Sequence, residues 1–214
     1  MKFTLLGTGT STGVPSIGCE CETCTSDDPR DKRLRVSVLV EHEGQTVLVD
    51  TSSDFRQQAL RQHIKRLDAV LITHCHADHV FGLDDIRPLN FRHGAQFCLG
   101  PDLLVTPVEV IHGRLPVVAY RFNDFAYATD LSEIPPDSLD MLRGLDALVL
   151  DCLRLRPHPT HLWLERSLAY IEQLKPRRAY FTHIAHDIKH ARDSALLPDG
   201  VEWGYDGLTI SDED

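Results

Sequence analysis

The sequence contains no apolar run approaching the roughly 18 residues that cross a bilayer, so no membrane-spanning segment is expected. Its first residues, Met1 to Gly13, lack a positively charged n-region and an apolar h-region, so no secretory signal is expected and the cytosol is the default compartment. Basic charge is scarce. Lys and Arg number 22 against 32 Asp and Glu, a formal net of −10, which leaves no electrostatic footprint for gripping a nucleic-acid backbone. No internal repeat, low-complexity tract or linker breaks the chain. What is present is ordinary for one soluble domain with a core: 214 residues, 42% hydrophobic and 25% charged. A single domain over 1–214 is expected.

The elements read as alternating strands and helices. Strands are expected at Lys2–Leu6, Val36–Val40, Thr46–Val49, Ala69–Thr73, Leu103–Ile111, Val117–Phe122, Phe125–Thr129, Ala147–Leu150, Arg178–Thr182, Val201–Trp203 and Leu208–Ile210. Helices are expected at Asp54–His63, Val80–Pro88, Pro135–Arg143, Leu162–Leu174 and Asp187–Ala195. Glu43-Gly44 and Asn123-Asp124 read as hairpin turns. Around His93 to Phe97 a polar loop passes abruptly into a new strand.

Cysteine and histidine carry the chemical signal. In a reducing compartment six cysteines do not suggest a disulfide framework. Cys19, Cys21 and Cys24 are clustered, and close thiolates at that spacing favour a metal. Among the 12 histidines, His74, His76 and His79 crowd the stretch Thr73-His74-Cys75-His76-Ala77-Asp78-His79, directly after an apolar strand. In an extended segment residues i and i+2 face one way, so His74 and His76 can grip one ion together while Cys75 points back into the layer behind. A turn into helix would aim Asp78 and His79 at a neighbouring point. One segment could thus serve two divalent ions, which hold a hydroxide between them and clamp the oxygens of a displacement.

These residues resemble the H-x-H-x-D-H hallmark of the metallo-β-lactamase superfamily, and the resemblance runs along most of the chain. It implies an α/β (α+β) fold, an αββα sandwich with a dinuclear metal site at one sheet edge. It implies that His74, His76 and His112 hold one metal and Asp78, His79 and His183 the other, with Asp130 bridging and Asp50 supporting. The closer resemblance is to PhnP-like phosphodiesterases, through the Gly-rich opening and the segment Cys19-Glu20-Cys21-Glu22-Thr23-Cys24. It implies that His186, three residues after His183, completes a structural Cys₃His zinc site that ties the loop at about 13–30 to the active-site rim. It implies His161 as general acid at the start of a late helix, with His158 a close competitor, and Asp130 and Asp78 among the catalytic groups. Arg114 reads as a phosphate contact or as a solvated loop residue.

The implied activity is hydrolysis of a small cyclic phosphate, such as a ribosyl 1,2-cyclic phosphate, or of a nucleotide-like phosphodiester. The implied cofactors are two divalent ions, manganese or zinc, plus the structural zinc. The implied partner is the small substrate, with room for a homodimer and no nucleic acid or membrane. A tRNase Z-like nuclease and a non-catalytic PqqB-like carrier are the alternatives. One departure stands out. PhnP-like chains carry several dozen more residues between the strand after the His-rich helix and the strand leading to His112, so a segment near Gln96-Phe97 is either lost from this chain or left out of the sequence.

Overall fold

A computed structural model describes residues 1–86, 97–100 and 102–212. The short interval before Phe97 therefore lies mostly outside the described residues. Apolar alternation and paired turns build two sheets. In the first, β1 (Lys2–Gly7), β2 (Ser37–His42) and β3 (Gln45–Val49) are antiparallel neighbours. The β2–β3 turn falls on Glu43 and Gly44, both left-handed, as a tight two-residue hairpin requires. β4 (Ala69–Leu71) adds parallel to β3, and β12 (Thr209–Ser211) closes the far side against β1.

The second sheet has the order β11-β10-β9-β8-β7-β6-β5. It contains β5 (Phe97–Leu99), β6 (Leu103–His112), β7 (Leu115–Phe122) and β8 (Phe125–Ala128), all antiparallel neighbours. Beyond them β9 (Ala147–Asp151), β10 (Arg178–Thr182) and β11 (Val201–Trp203) run parallel to β8.

The sheets stack face to face. Phe3, Val38, Val40, Val47 and Val49 of the first meet Val105, Phe122, Phe125, Tyr127 and Val149 of the second. Phe3 lies flat on Phe125, with centroids 5.0 Å apart. The outer faces are covered by helices, completing the αββα layering. α1 (Phe55–Arg61) covers Leu6, Leu39 and Leu48 through Phe55. On the other side α3 (Pro136–Met141) and α4 (Leu164–Leu174) cover Val108, Val110, Leu148 and Leu150. The α4 face is Ser167, Tyr170 and Leu174, and burying side chains of the last two kinds contributes about 2 kcal/mol each. Lys175 in the left-handed region and Pro176 end the helix.

Three expected helices differ from those observed. Over the described part of the expected helix Val80–Pro88, which ends at Ile86, the chain forms the end of α2 (Ala77–Val80) and a 3₁₀ turn at Leu83–Asp85; positions 87 and 88 lie outside the described residues. The helix ends early because the Gly82 amide turns back to the Thr51 carbonyl at 2.9 Å, with the Gly82 Cα so close to the Ser52 carbonyl that no Cβ would fit. α4 begins at Leu164 rather than Leu162, because the Leu162 amide is given to Leu131 and its carbonyl to Leu153. In place of Asp187–Ala195 there is α5 (His190–Asp193) followed by a 3₁₀ turn. Its start is delayed by Asp31, which accepts the His190 amide at 2.8 Å.

Candidate active site

The C-terminal ends of β3, β4, β6, β8, β9 and β10 come together along one edge of the sandwich. Each delivers a side chain just as the strand stops: Asp50 after β3, the His74–His79 segment after β4, His112 on β6, Asp130 after β8, Asp151 on β9 and His183 after β10. Layered α/β folds collect sites where strand ends leave loops free to converge. Asp50, Asp130 and His183 all take left-handed backbone, at φ 62°, 54° and 59°. Strain at non-glycine positions clusters where a side chain must be aimed.

The histidines are oriented by hydrogen bonds that settle their tautomers. Asp50 receives the Thr73 amide at 2.9 Å and the Thr73 hydroxyl at 2.8 Å. With its proton so used, the Thr73 hydroxyl accepts from His74 Nδ1 at 3.0 Å, which leaves His74 Nε2 a bare acceptor 2.9 Å from His76 Nδ1. His79 Nδ1 donates to Asp50 at 2.7 Å, and His112 Nδ1 donates to the Thr160 carbonyl at 2.8 Å. Metal-binding imidazoles characteristically donate their second nitrogen in this way, which points the other lone pair inward.

Inward, two buried imidazole nitrogens flank Asp130. His79 Nε2 lies 3.3 Å from one carboxylate oxygen and His183 Nε2 3.1 Å from the other. Asp78 approaches His79 Nε2 at 3.5 Å. Among the described residues neither nitrogen has a hydrogen-bond partner. Burial without a hydrogen-bond partner is costly for a nitrogen aimed at a carboxylate. It is the arrangement expected of ligands around a shared cation, whose donor-to-donor edges are roughly 3.3 Å for bonds of about 2.0–2.1 Å. Donor atoms of His74, His76 and His112 fall within 4.8 Å of one another, as do those of His74, His79 and Asp130. The residues present therefore fit divalent ions.

The charges follow the same geometry. Burial, reinforced by nearby His79, pushes His74 down to about 3. Burial also works against a charged His79, but Asp50, Asp130 and Asp78 outweigh it and raise its pKa. Asp130 is held well below the usual carboxylate range, because His183 and His79 overcome its complete burial. Burial lowers both His112 and His161.

His161 stands in the loop before α4, not on the helix, yet it reaches the site. Its ring lies parallel to His183 with centroids 4.5 Å apart and sits 4.6 Å from His112. His158 lies one ring further out, 5.2 Å from His161, and its Nδ1 faces the Thr160 amide. Cys75 is exposed, contrary to the expectation that it enters the layer behind. β4 stops at Leu71, so by position 75 there is no sheet to provide that layer.

Sequence reasoning missed Asp151. This fully buried carboxylate lies 3.2 Å from His161 Nδ1 and 3.9 Å from His183 Nδ1, and it accepts the Leu131 amide at 3.3 Å. Burial raises its pKa well above the ordinary value. Its signal was an apolar strand ending in aspartate, Leu148-Val149-Leu150-Asp151, the pattern of Val47-Leu48-Val49-Asp50.

The cysteine cluster forms a second candidate centre. Sγ atoms of Cys19, Cys21 and Cys24 lie 3.2, 3.6 and 3.5 Å from His186 Nδ1. A tetrahedral zinc with about 2.3 Å sulfur and 2.0 Å nitrogen bonds has sulfur-to-nitrogen edges of roughly 3.5 Å. The loop is fastened below by Arg33. This fully buried guanidinium pairs with Asp31 at 2.9 Å and donates to the carbonyls of Ala185 and Ile188.

Comparison with known proteins agrees with this geometry. Residues 30–90 match the description "Metallo-beta-lactamase superfamily" and residues 90–184 "Beta-lactamase superfamily domain". A crystal structure of a diphosphatase from the PhnP family is 43% identical, covers 98% of this chain and 96% of its own, and superposes with a TM-score of 0.94. The chain belongs to the PhnP family of the metallo-β-lactamase superfamily. An octanoyltransferase of Porphyromonas gingivalis is 36% identical over 256 residues, matching 100% of this chain but 52% of its own length. A ribonuclease Z of Bradyrhizobium diazoefficiens is 35% identical over 99% of this chain and 64% of its own. The chain thus spans about half to two thirds of these two relatives.

Proposed function

We propose that the protein is a dinuclear-metal-dependent phosphodiesterase acting on a small cyclic phosphate or nucleotide-like diester. The observation that carries this reading is Asp130, flanked on its two carboxylate oxygens by the unpartnered Nε2 atoms of His79 and His183. In it, His74, His76 and His112 would hold one ion and Asp78, His79 and His183 the other, with Asp130 placed between the two sets. Manganese or zinc suits this mixed nitrogen and oxygen set, and zinc suits Cys19, Cys21, Cys24 and His186. When bound, the paired ions supply Lewis acidity toward phosphoryl oxygens and make hydroxide available near neutral pH.

The side chains do the rest. Asp50 holds His79 and, through Thr73, His74 in their working tautomers. His161, steadied by Asp151 at Nδ1, presents its ring beside His112 and His183 and protonates the departing alkoxide. Burial keeps free His161 largely neutral at pH 7; a bound phosphoryl anion favours its protonated form, so the acid is charged when substrate is present.

The similarity to a PhnP-family diphosphatase supports a second reading, cleavage of a P–O–P bond by the same groups. The leaving group is then a phosphate, which departs without a proton, and His161 matters less. The experiment is a series of bis(p-nitrophenyl) phosphate, alkyl diesters and dinucleoside diphosphates assayed with manganese and zinc, with metal content measured on the same sample. About three metals per chain with diester turnover supports the reading. One zinc per chain and no turnover with any metal contradicts it and supports a carrier.

A further inference from the structure

The cysteine loop groups its thiols tightly enough to react with one another and leaves them within reach of solvent. Donor atoms of Cys19, Cys21, Cys24 and His186 all lie within 4.8 Å of one another. Cys19 and Cys21 are half-buried, and only Cys24 is buried. The residues just before them give no cover: Ile17 is fully exposed, and a Cβ on Gly18 would have nothing within 4 Å. The Thr25 amide bonds the Cys21 carbonyl at 3.0 Å, closing one helical turn that brings Cys21 and Cys24 side by side. Positive charge surrounds this turn. Lys32 Nζ donates to the Cys24 carbonyl at 3.2 Å, and Glu22, between the two cysteines, pairs with both Lys189 and Arg192. Partly exposed thiols in electropositive surroundings are the reactive ones, and a thiol that holds a metal is already deprotonated.

We propose that Cys21 and Cys24 form a peroxide-modification site: a small peroxide oxidises the two thiolates to a disulfide, and the zinc they share with Cys19 and His186 is released. The inference rests on the Cys₃His reading of this cluster. First the Cys21 thiolate attacks the peroxide; an S–O bond forms, the O–O bond breaks, and the departing hydroxide takes a proton to become water. The Cys24 thiolate then attacks the Cys21 sulfur; the S–S bond forms, the S–O bond breaks, and a second hydroxide leaves and is protonated to water. The two thiolates lose two electrons and the peroxide gains them. The two-residue spacing of Cys21 and Cys24 closes a larger and less strained ring than Cys19 and Cys21 would. Cys19 and His186 alone are too few donors for closed tetrahedral zinc. The fold outlives the change, because the base of the loop is fastened without the metal. Val14 and Arg33 exchange backbone bonds at 2.8 and 2.7 Å, and the Arg33 guanidinium holds the Ala185 and Ile188 carbonyls.

The test treats the metal-loaded, fully reduced wild-type protein with hydrogen peroxide. A colorimetric chelator reports released zinc, and peptide masses are read after alkylation of the remaining thiols. Trypsin leaves all three loop thiols on one peptide, residues 3–30. Release of about one zinc per chain is expected, in step with a peptide that has lost two hydrogens and carries one alkyl group, at Cys19. Dithiothreitol with added zinc is expected to reverse both. Zinc retained by the loop while peroxide oxidises the exposed Cys75 or Cys98 overturns the proposal. Conversion of the loop thiols to sulfinic acids with no disulfide also overturns it, as does a disulfide that leaves Cys21 or Cys24 alkylated. The metal content of the reduced protein before treatment reports separately on the Cys₃His reading: loop thiols that hold no zinc there overturn that reading, and the proposal with it.

Discussion

Asp130 is the residue on which the site turns. Its two carboxylate oxygens face His79 Nε2 and His183 Nε2, and Asp78 approaches only the first of these nitrogens. D130A is expected to lose active-site metal and to lower turnover by roughly three orders of magnitude or more; metal analysis beside a bis(p-nitrophenyl) phosphate assay checks both. His161 and Asp151 act as a pair. H161A is expected to slow alkyl diesters far more than aryl diesters, whose leaving group needs no proton. D151N is expected to follow the same pattern at roughly 10–100-fold, as outer partners of a working imidazole generally do. Equal slowing of both substrate types by H161A would remove the acid role. Asp151 was not visible to sequence reasoning because a strand-terminal aspartate is common. Only the sheet order, which sets β9 between β8 and β10, brings it under both His161 and His183.

At the level of elements, strands were readable and short helices were not. The apolar runs at β3, β4, β9 and β10 are each followed within a few residues by a polar ligand-type residue, and the runs are buried almost throughout. The brief helices α2 and α5 have too few residues for periodicity to mark them, and their limits are drawn by distant partners such as Thr51 and Asp31. The β6–β7 turn offers a test of such a partner. G113A forces a side chain into left-handed backbone and against Thr160, and is expected to cost about 1–3 kcal/mol in urea denaturation. The cysteine loop offers another. C21S is expected to lower Tm by roughly 6–12 °C for a loss of about 3 kcal/mol, with zinc content falling by one per chain. A variant that melts with the wild type and retains that zinc would exclude the Cys₃His centre.

At the level of the molecule, stability should depend on pH through His190. Burial, with Arg30 and Arg33 nearby, lowers this imidazole to about 4. The unfolded chain takes up the proton near pH 6.5 and the folded chain only near 4, so stability falls as pH drops through that window and levels off below it. The loss is on the order of 3 kcal/mol. Denaturation midpoints from pH 7 to 4.5 should fall less steeply in H190Q than in the wild type; parallel curves would contradict the assignment. The αββα layering and the position of the site along one sheet edge were expected from the resemblance to the metallo-β-lactamase superfamily. The burial of Arg33, Asp31 and His190 was not, because nothing in a loop sequence distinguishes a solvated charge from one roofed by a segment more than 150 residues away.

The stretch from His183 to His190 belongs to three structures at once. His183 faces Asp130, His186 faces the thiols, and the carbonyls of Ala185 and Ile188 receive Arg33. Cations arriving at the two centres cannot then be strangers to each other. On the proposed reading, a zinc held by the thiols would brace this rail and, with it, the placing of His183 opposite Asp130.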